Sequence, residues 1–217
     1  MSRIVNFSKK LEEKQVARFL IIYYFVGLLG FLIPYTRVLF EALIPFSVLI
    51  NLYLLLVFHR PYDRTHILVF WGIMLFTFAV EAIGTKSGLL FGNYFYNQSL
   101  GIKVFQTPLL IGVNWFILVY ASTAIVRSVK ILRRWVPFSA AALMVAFDFI
   151  MEPVAVETGM WSWTNGVIPL QNYLMWFIIT VLVVGVMELM NIKTVKPVAA
   201  RLFWVQFVFF VLLNLFL

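Results

Sequence analysis

Seven stretches, at roughly 16–34, 38–58, 65–84, 108–127, 135–152, 168–190 and 199–217, run almost without charge. This pattern narrows the possible folds most, because about 20 apolar residues in a helix cross the hydrocarbon core of a bilayer. What remains between them is loops and ends with no room for a second folded domain, so residues 1–217 are expected to form a single polytopic membrane domain. That domain is an all-α bundle of about seven transmembrane helices. Only 12% of the residues are charged and 63% are hydrophobic, whereas a soluble domain carries about 25% charge. A water-soluble globular enzyme is excluded. Proline punctuates the spans. Pro34 is expected to close the first, and Pro61 sits in the second connection. Pro108 opens the fourth, Pro153 stops the fifth, Pro169 opens the sixth and Pro197 precedes the seventh. The first span is too long for a signal-peptide core and lacks a small-residue cleavage site, so it is expected to stay in the mature chain.

The net charge of +8 suggests nucleic acid only until the basic residues are placed. With the N-terminus inside, the inner segments hold Arg3, Lys9, Lys10, Lys14, Arg18, Arg60, Arg64, Arg127, Lys130, Arg133, Arg134, Lys193, Lys196 and Arg201. The outer segments hold Arg37, Lys86 and Lys103. Fourteen against three, alternating at every loop, predicts an N-inside, C-outside topology. The basic excess is then a topology signal whose partner is the anionic headgroup layer of the lipid membrane, and no nucleic acid is expected.

Zero cysteines exclude a thiolate nucleophile, an iron–sulfur cluster and a cysteine zinc site. Two histidines, His59 and His66, flank one short loop, where they are expected to be solvated. They cannot supply the many ligands a membrane di-iron oxygenase needs. No metal or other cofactor is expected, and oxygen added to a lipid here would come from water.

Ionisable groups within spans point to function. At about 1.5 Å per residue, the predicted topology puts Glu81 near the outer end of the third span, and Asp148 and Glu152 near the outer end of the fifth. Glu41 begins the second span, Asn114 lies one to two turns into the fourth, and Gln171 and Asn172 open the sixth. All sit in the outer half, whereas the inner half offers mainly Asn51, with Glu188 at its edge. Asp148 and Glu152 are four residues apart and so share a helix face. Two such carboxylates resist ionising together, and a helix C-terminus disfavours a carboxylate. Glu81, Asp148 and Glu152 are therefore expected to be able to hold a proton near neutrality, and Glu41, at a helix start, to stay ionised. We expect Glu81 to approach the Asp148/Glu152 pair.

Two long connections share that outer side, residues 85–107 and 153–167. They carry glycines together with Tyr94, Tyr96, Trp161 and Trp163, which suit either an interfacial aromatic belt or a lid over the carboxyl cluster. Asn97-Gln98-Ser99 matches a glycosylation sequon.

Five ordered blocks resemble a known family. They are Glu81 through Gly84 with Thr85 through Tyr96, Pro108 through Trp115, and Phe147 through Pro153. Met160 through Trp163 and Ile168 through Asn172 complete the set. Together they are similar to the carotenoid biosynthesis membrane proteins, which include bacterial carotenoid 1,2-hydratases and haloarchaeal bisanhydrobacterioruberin hydratases. Glu152 stands where many members carry Asp, so the carboxyl is kept and its reach differs. The resemblance implies a cofactor-independent hydro-lyase in a prokaryotic cell membrane that adds water to the terminal C1=C2 bond of an acyclic carotenoid. Depth assigns the catalytic groups: Asp148, the deeper and most desolvated, or its partner Glu152 is expected to donate the proton, and Glu81 to orient or deprotonate the attacking water. Asn114, Trp115, Tyr94, Tyr96, Trp161, Trp163, Gln171 and Asn172 would line the substrate site, and other carotenoid-pathway enzymes are possible partners.

The residues read alone agree with that chemistry. Hydrating an alkene requires a protonated carboxylic acid, a second carboxyl to take a proton from water, and aromatic faces for the cation. An isomerase or cyclase that begins by protonation would use the same groups. A transporter needs polar groups through both leaflets, which the inner half lacks. A retinal protein needs a lysine within the last helix, and residues 202–217 have none.

Overall fold

The computed structural model describes residues 13–59 and 62–217. Arg3, Lys9, Lys10, Arg60 and Pro61, which enter the charge and proline patterns, lie outside the described residues.

Among the described residues there are eight α-helices: α1 (Glu13–Leu32), α2 (Pro34–Ala42), α3 (Ile44–Phe58), α4 (Arg64–Ser87), α5 (Leu110–Ser128), α6 (Val136–Glu157), α7 (Leu170–Leu189) and α8 (Lys196–Phe216). Six of them are long and apolar enough to cross a membrane, or seven if α2 and α3 count as one broken span.

That break corrects the continuous second span expected from hydropathy. The two helices meet at Leu43 and bend by 55°, with Pro45 in the first turn of α3, where its missing N–H costs nothing. Pro34 likewise stands in the first turn of α2, so it starts a helix as well as marking the end of one. Glu41 consequently lies in the last turn of α2 and pairs with Arg37 one turn earlier; it does not begin a span. Pro153 does not stop its helix either, because α6 continues through it to Glu157. The chain there is held on both sides. Val154 and Ala155 are buried, and their carbonyls accept from Thr158 N and Met160 N as the helix closes.

Helix α5 is the axis of the bundle. It packs against α3, α4, α6, α7 and α8 and is buried on every face from Trp115 to Val126. Lipid tails give no hydrophobic drive for helix pairing, so small residues that allow close approach matter most. At Gly112 an added Cβ would come within 2.2 Å of the Met74 carbonyl oxygen. That contact sets the crossing of α4 over α5.

Among the described residues, four short strands, which hydropathy does not reveal, sit at one end of the bundle. β1 (Tyr94–Tyr96) pairs antiparallel with β4 (Trp161–Trp163), and β2 (Lys103–Val104) pairs with β3 (Thr107–Pro108). The β1–β4 register sets Tyr94 opposite Trp163 and Tyr96 opposite Trp161. Side chains alternate along a strand. All four aromatic rings therefore point into the bundle while Phe95 points out. Helix α4 reaches this ribbon through Gly88, whose φ of +66° ends the helix in the left-handed region.

The histidines are a correction. His59 and His66 are both buried, with ring centroids 5.0 Å apart, at the end of the bundle opposite the ribbon. His59 Nδ1 lies 2.7 Å from Tyr120 Oη, which accepts from Val195 N, and His66 meets Asp63, the N-cap of α4. They tie the ends of α3 and α4 to the α7–α8 connection.

Candidate active site

Glu81, in the penultimate turn of α4, is 3% exposed and is met by ring donors. Tyr94 Oη and Tyr96 Oη both donate to Oε2, the latter at 2.8 Å, and Trp115 Nε1 donates to Oε1 at 2.8 Å. Glu152, on α6, mirrors it. Trp161 Nε1 and Trp163 Nε1 each donate to its Oε2 at 3.0 Å, and Asn172 Nδ2 donates to Oε1 at 3.2 Å. The ribbon thus serves both acids, with the phenols of one strand on Glu81 and the indoles of the other on Glu152. A carboxylate offers about four acceptor positions. Each of these has three filled, and on each the oxygen that accepts a single donor keeps one position open.

Both carboxyls line the same small cavity, with Tyr94, Tyr96, Trp161, Trp163, Asn172, Ile111 and Trp176. Its volume is about 20 Å³. A polar site needs about 10–15 Å³ to hold a water, so there is room for one. Beside it lies a second cavity of about 320 Å³ that shares Ile111 and Trp161 as walls and is otherwise largely aliphatic and aromatic.

Asp148 stands one turn before Glu152, fully enclosed. Its Oδ2 accepts from Asn172 Nδ2 at 2.9 Å, while its Oδ1 has no partner among the described residues. The residue faces α7 and lines neither cavity, whereas its neighbours Phe147 and Met151 line the larger one.

Tyr94 and Tyr96 lie outside the spans. Burial first, and then the neighbouring Glu81 charge, hold both phenols well above their usual ionisation range. They remain hydrogen-bond donors at any ordinary pH.

The expected convergence of Glu81 on the Asp148/Glu152 pair is present, and Trp115, Tyr94, Tyr96, Trp161, Trp163 and Asn172 join it. Two residues stand elsewhere. Gln171 is exposed and donates to the Leu89 carbonyl. It adjoins Asn172 in the first turn of α7, and successive helical residues point about 100° apart, so only one of them can face the carboxyls. Asn114 lines the larger cavity. The sequon is engaged too: Asn97 Nδ2 donates to Ser162 Oγ at 2.9 Å and Ser99 Oγ to the Gly159 carbonyl at 2.9 Å. Trp176, not singled out from sequence, stacks on Trp115 with centroids 4.1 Å apart and fixes the indole that donates to Glu81. Its signal was the four-residue spacing from Asn172, which puts both on one helix face.

A family model described as carotenoid biosynthesis protein matches residues 40–217. Over 130 residues the chain is 25% identical to a bisanhydrobacterioruberin hydratase of Haloarcula japonica. The match covers 54% of this chain and 42% of the relative, so the chain spans less than half of that protein's length. No solved structure matches the chain.

Proposed function

Since the chain belongs to the carotenoid biosynthesis protein family, we propose that it is a carotenoid hydratase, adding water across the terminal C1=C2 bond of an acyclic carotenoid end. The observation that carries this reading is the one-water cavity between Glu81 and Glu152, next to an apolar cavity able to take a hydrocarbon end. In this reading Asp148 and Glu152, bridged by one amide nitrogen, share a proton, and Glu152 is the member that faces the substrate. The proton passes from Glu152 to C2 while the alkene π pair forms the new C–H bond, leaving a tertiary cation at C1. Water in the small cavity gives its lone pair to C1 and its proton to the open acceptor position of Glu81. Return of that proton to Glu152 closes the cycle, and alkene plus water has become a tertiary alcohol. The indoles of Trp161 and Trp163 line the small cavity, where their π systems would lower the energy of the cation, and the ribbon would keep bulk water out. Nothing in these steps calls for a metal or an organic cofactor.

The substrate enters from the bilayer, so the setting is a cell membrane, with other carotenoid-pathway enzymes as natural neighbours. Expression in a lycopene-producing host tests the function. A pigment heavier by one or two waters, with its oxygen drawn from isotopically labelled water, is expected. A pigment of unchanged mass but altered spectrum would instead point to an isomerase or cyclase.

A further inference from the structure

The proposed reaction makes no use of the β2–β3 hairpin, yet the turn of that hairpin is unusual. Phe105 and Gln106 form it with φ of +52° and +63°. A two-residue turn with both residues left-handed favours Asn-Gly or Gly-Gly, and a bulky side chain there is an outlier. Strain of this kind points to a use for the side chain rather than for the turn. Phe105 and Ile102 are each 78% exposed, and Leu109 is 47% exposed. The one charge of the hairpin points the other way, with Lys103 Nζ donating to the Tyr96 carbonyl at 2.7 Å. The tip is therefore uncharged and carries an outward apolar surface. The rings of Tyr94, Tyr96, Trp161 and Trp163, candidates for an interfacial belt, turn inward to the carboxyls instead.

The surroundings of the hairpin indicate what covers that surface. Leu109 N donates to the Ile102 carbonyl, which closes the hairpin directly onto the start of α5. On its other flank Gly101 lies against Pro45, where an added Cβ would stand 3.5 Å from Pro45 Cγ. From Pro45, the exposed Phe46, Leu49 and Tyr53 run along one face of α3, an apolar stripe of the kind a spanning helix turns to lipid. The hairpin stands at the head of this stripe, level with the helix ends.

We propose that the β2–β3 hairpin is a membrane anchor whose partner is the phospholipid itself. Phe105 and Ile102 insert at the boundary between headgroups and acyl chains, in the leaflet on the ribbon side. Side chains lying in that plane reach about 5–10 Å into it. Lys103 ties the anchor to the ribbon through Tyr96, whose hydroxyl donates to Glu81, so the lipid seats the ribbon over the carboxyls. The anchoring does not depend on the hydratase reading.

The absence of cysteine allows a direct test in the full chain. Phe105→Cys is labelled with bimane and placed, one copy per disc, in phosphatidylcholine nanodiscs. Part of the lipid carries a nitroxide at the headgroup, high on the acyl chain, or at the chain end. Bimane emission should be shifted to the blue and should lose most intensity with the nitroxide high on the chain. Ile102→Cys should read the same, and stands in if the first variant fails to fold. Asn165→Cys, exposed in the β4–α7 connection, is the aqueous reference and should keep unshifted emission. Solvent-like emission at both hairpin positions overturns the proposal. A blue shift without nitroxide quenching also overturns it, by placing the tip against protein. So does a blue shift confined to discs holding two copies, which would make the tip a contact between chains. Fluorescence is read without turnover, so the two readings fail separately. A hairpin in lipid on a protein that leaves lycopene unhydrated keeps the anchor and sinks the hydratase, while hydration with the hairpin in water does the reverse.

Discussion

Asn172 holds Asp148 and Glu152 with the same nitrogen, Nδ2 lying 2.9 Å from Asp148 Oδ2 and 3.2 Å from Glu152 Oε1. One amide on α7 thereby meets two carboxyls on α6, within the most extensively packed helix pair of the bundle.

Asn172→Leu fills similar space and removes the bridge. We expect turnover to fall between about tenfold and about a hundredfold, the range for a catalytic group displaced by about an ångström, with folded protein still recovered from the membrane. Wild-type turnover in this variant would show that the bridge has no part in positioning the acids.

The ribbon phenols predict a flat alkaline response. Burial, and then the Glu81 charge, raise both Tyr94 and Tyr96. Their donor form is the one present at low and neutral pH, and it is lost only above the raised value. Up to about pH 9, one unit below a free phenol, no loss of activity should trace to them. Tyr96→Phe should lower the rate while leaving the shape of the pH profile unchanged over that range. An alkaline limb that disappears in this variant would mean that Tyr96 titrates.

Gly112 and Gly72 make a stability pair. A Cβ at Gly112 meets the Met74 carbonyl oxygen at 2.2 Å, whereas one at Gly72 meets nothing within 4 Å. Gly112→Ala must push α4 away from α5 and should cost about 1–3 kcal/mol, read as a lower unfolding midpoint in detergent. Gly72→Ala should be neutral or raise stability by up to about 1 kcal/mol, since alanine suits a helix interior better than glycine. The same midpoint for both would mean that the α4–α5 crossing tolerates the extra carbon.

The topology is testable because the chain has no cysteine. Asn165, exposed in the β4–α7 connection, is a better probe than Ser99, which is half-buried and bonded to the Gly159 carbonyl. Asn165→Cys should react with a membrane-impermeant thiol reagent in intact cells. Reaction only after lysis would put the site on the cytoplasmic side.

How much of this was legible in the sequence depended on the period of each signal. Long apolar runs give the helices, and the four-residue step from Asp148 to Glu152 puts both on one face. Depth along each span brought Glu81 to the same level. The bend at Leu43 was hidden because hydropathy sums over both of its arms. Helix passage through Pro153 was hidden because the packing that tolerates it is tertiary. Tyr94-Phe95-Tyr96 and Trp161-Ser162-Trp163 do carry a period-two signal, but a three-residue strand is visible only with its partner, which for Phe95 is Ser162, 67 residues away. Gln171 and Asn172 share a depth and differ in direction, and depth alone cannot separate them. His59 and His66 look like loop residues until the ends of α3 and α4 fold them inward.

The last prediction orders the carboxyls. Glu152 lines the small cavity and Asp148 lies behind it, so Glu152→Gln, which keeps size and loses the proton, should lower turnover at least about a hundredfold, the scale of a lost general acid. Asp148→Asn should also be strongly impaired, because the shared proton loses one of its two seats, yet it leaves the cavity wall unchanged. Glu81→Gln should spare binding and slow water capture, since an amide can orient water without accepting its proton. Glu41 belongs to a different setting, paired with Arg37 at 3.0 Å and about a quarter exposed in its side chain. Exposed pairs of this kind contribute about 0–1 kcal/mol, so Glu41→Gln should retain most activity. Rates measured on equal amounts of folded protein, with pigment binding as the control, decide the order. Active Glu152→Gln and Asp148→Asn variants beside an inactive Glu41→Gln would move the proton donor out of the cavity and toward the Arg37–Glu41 end of α2.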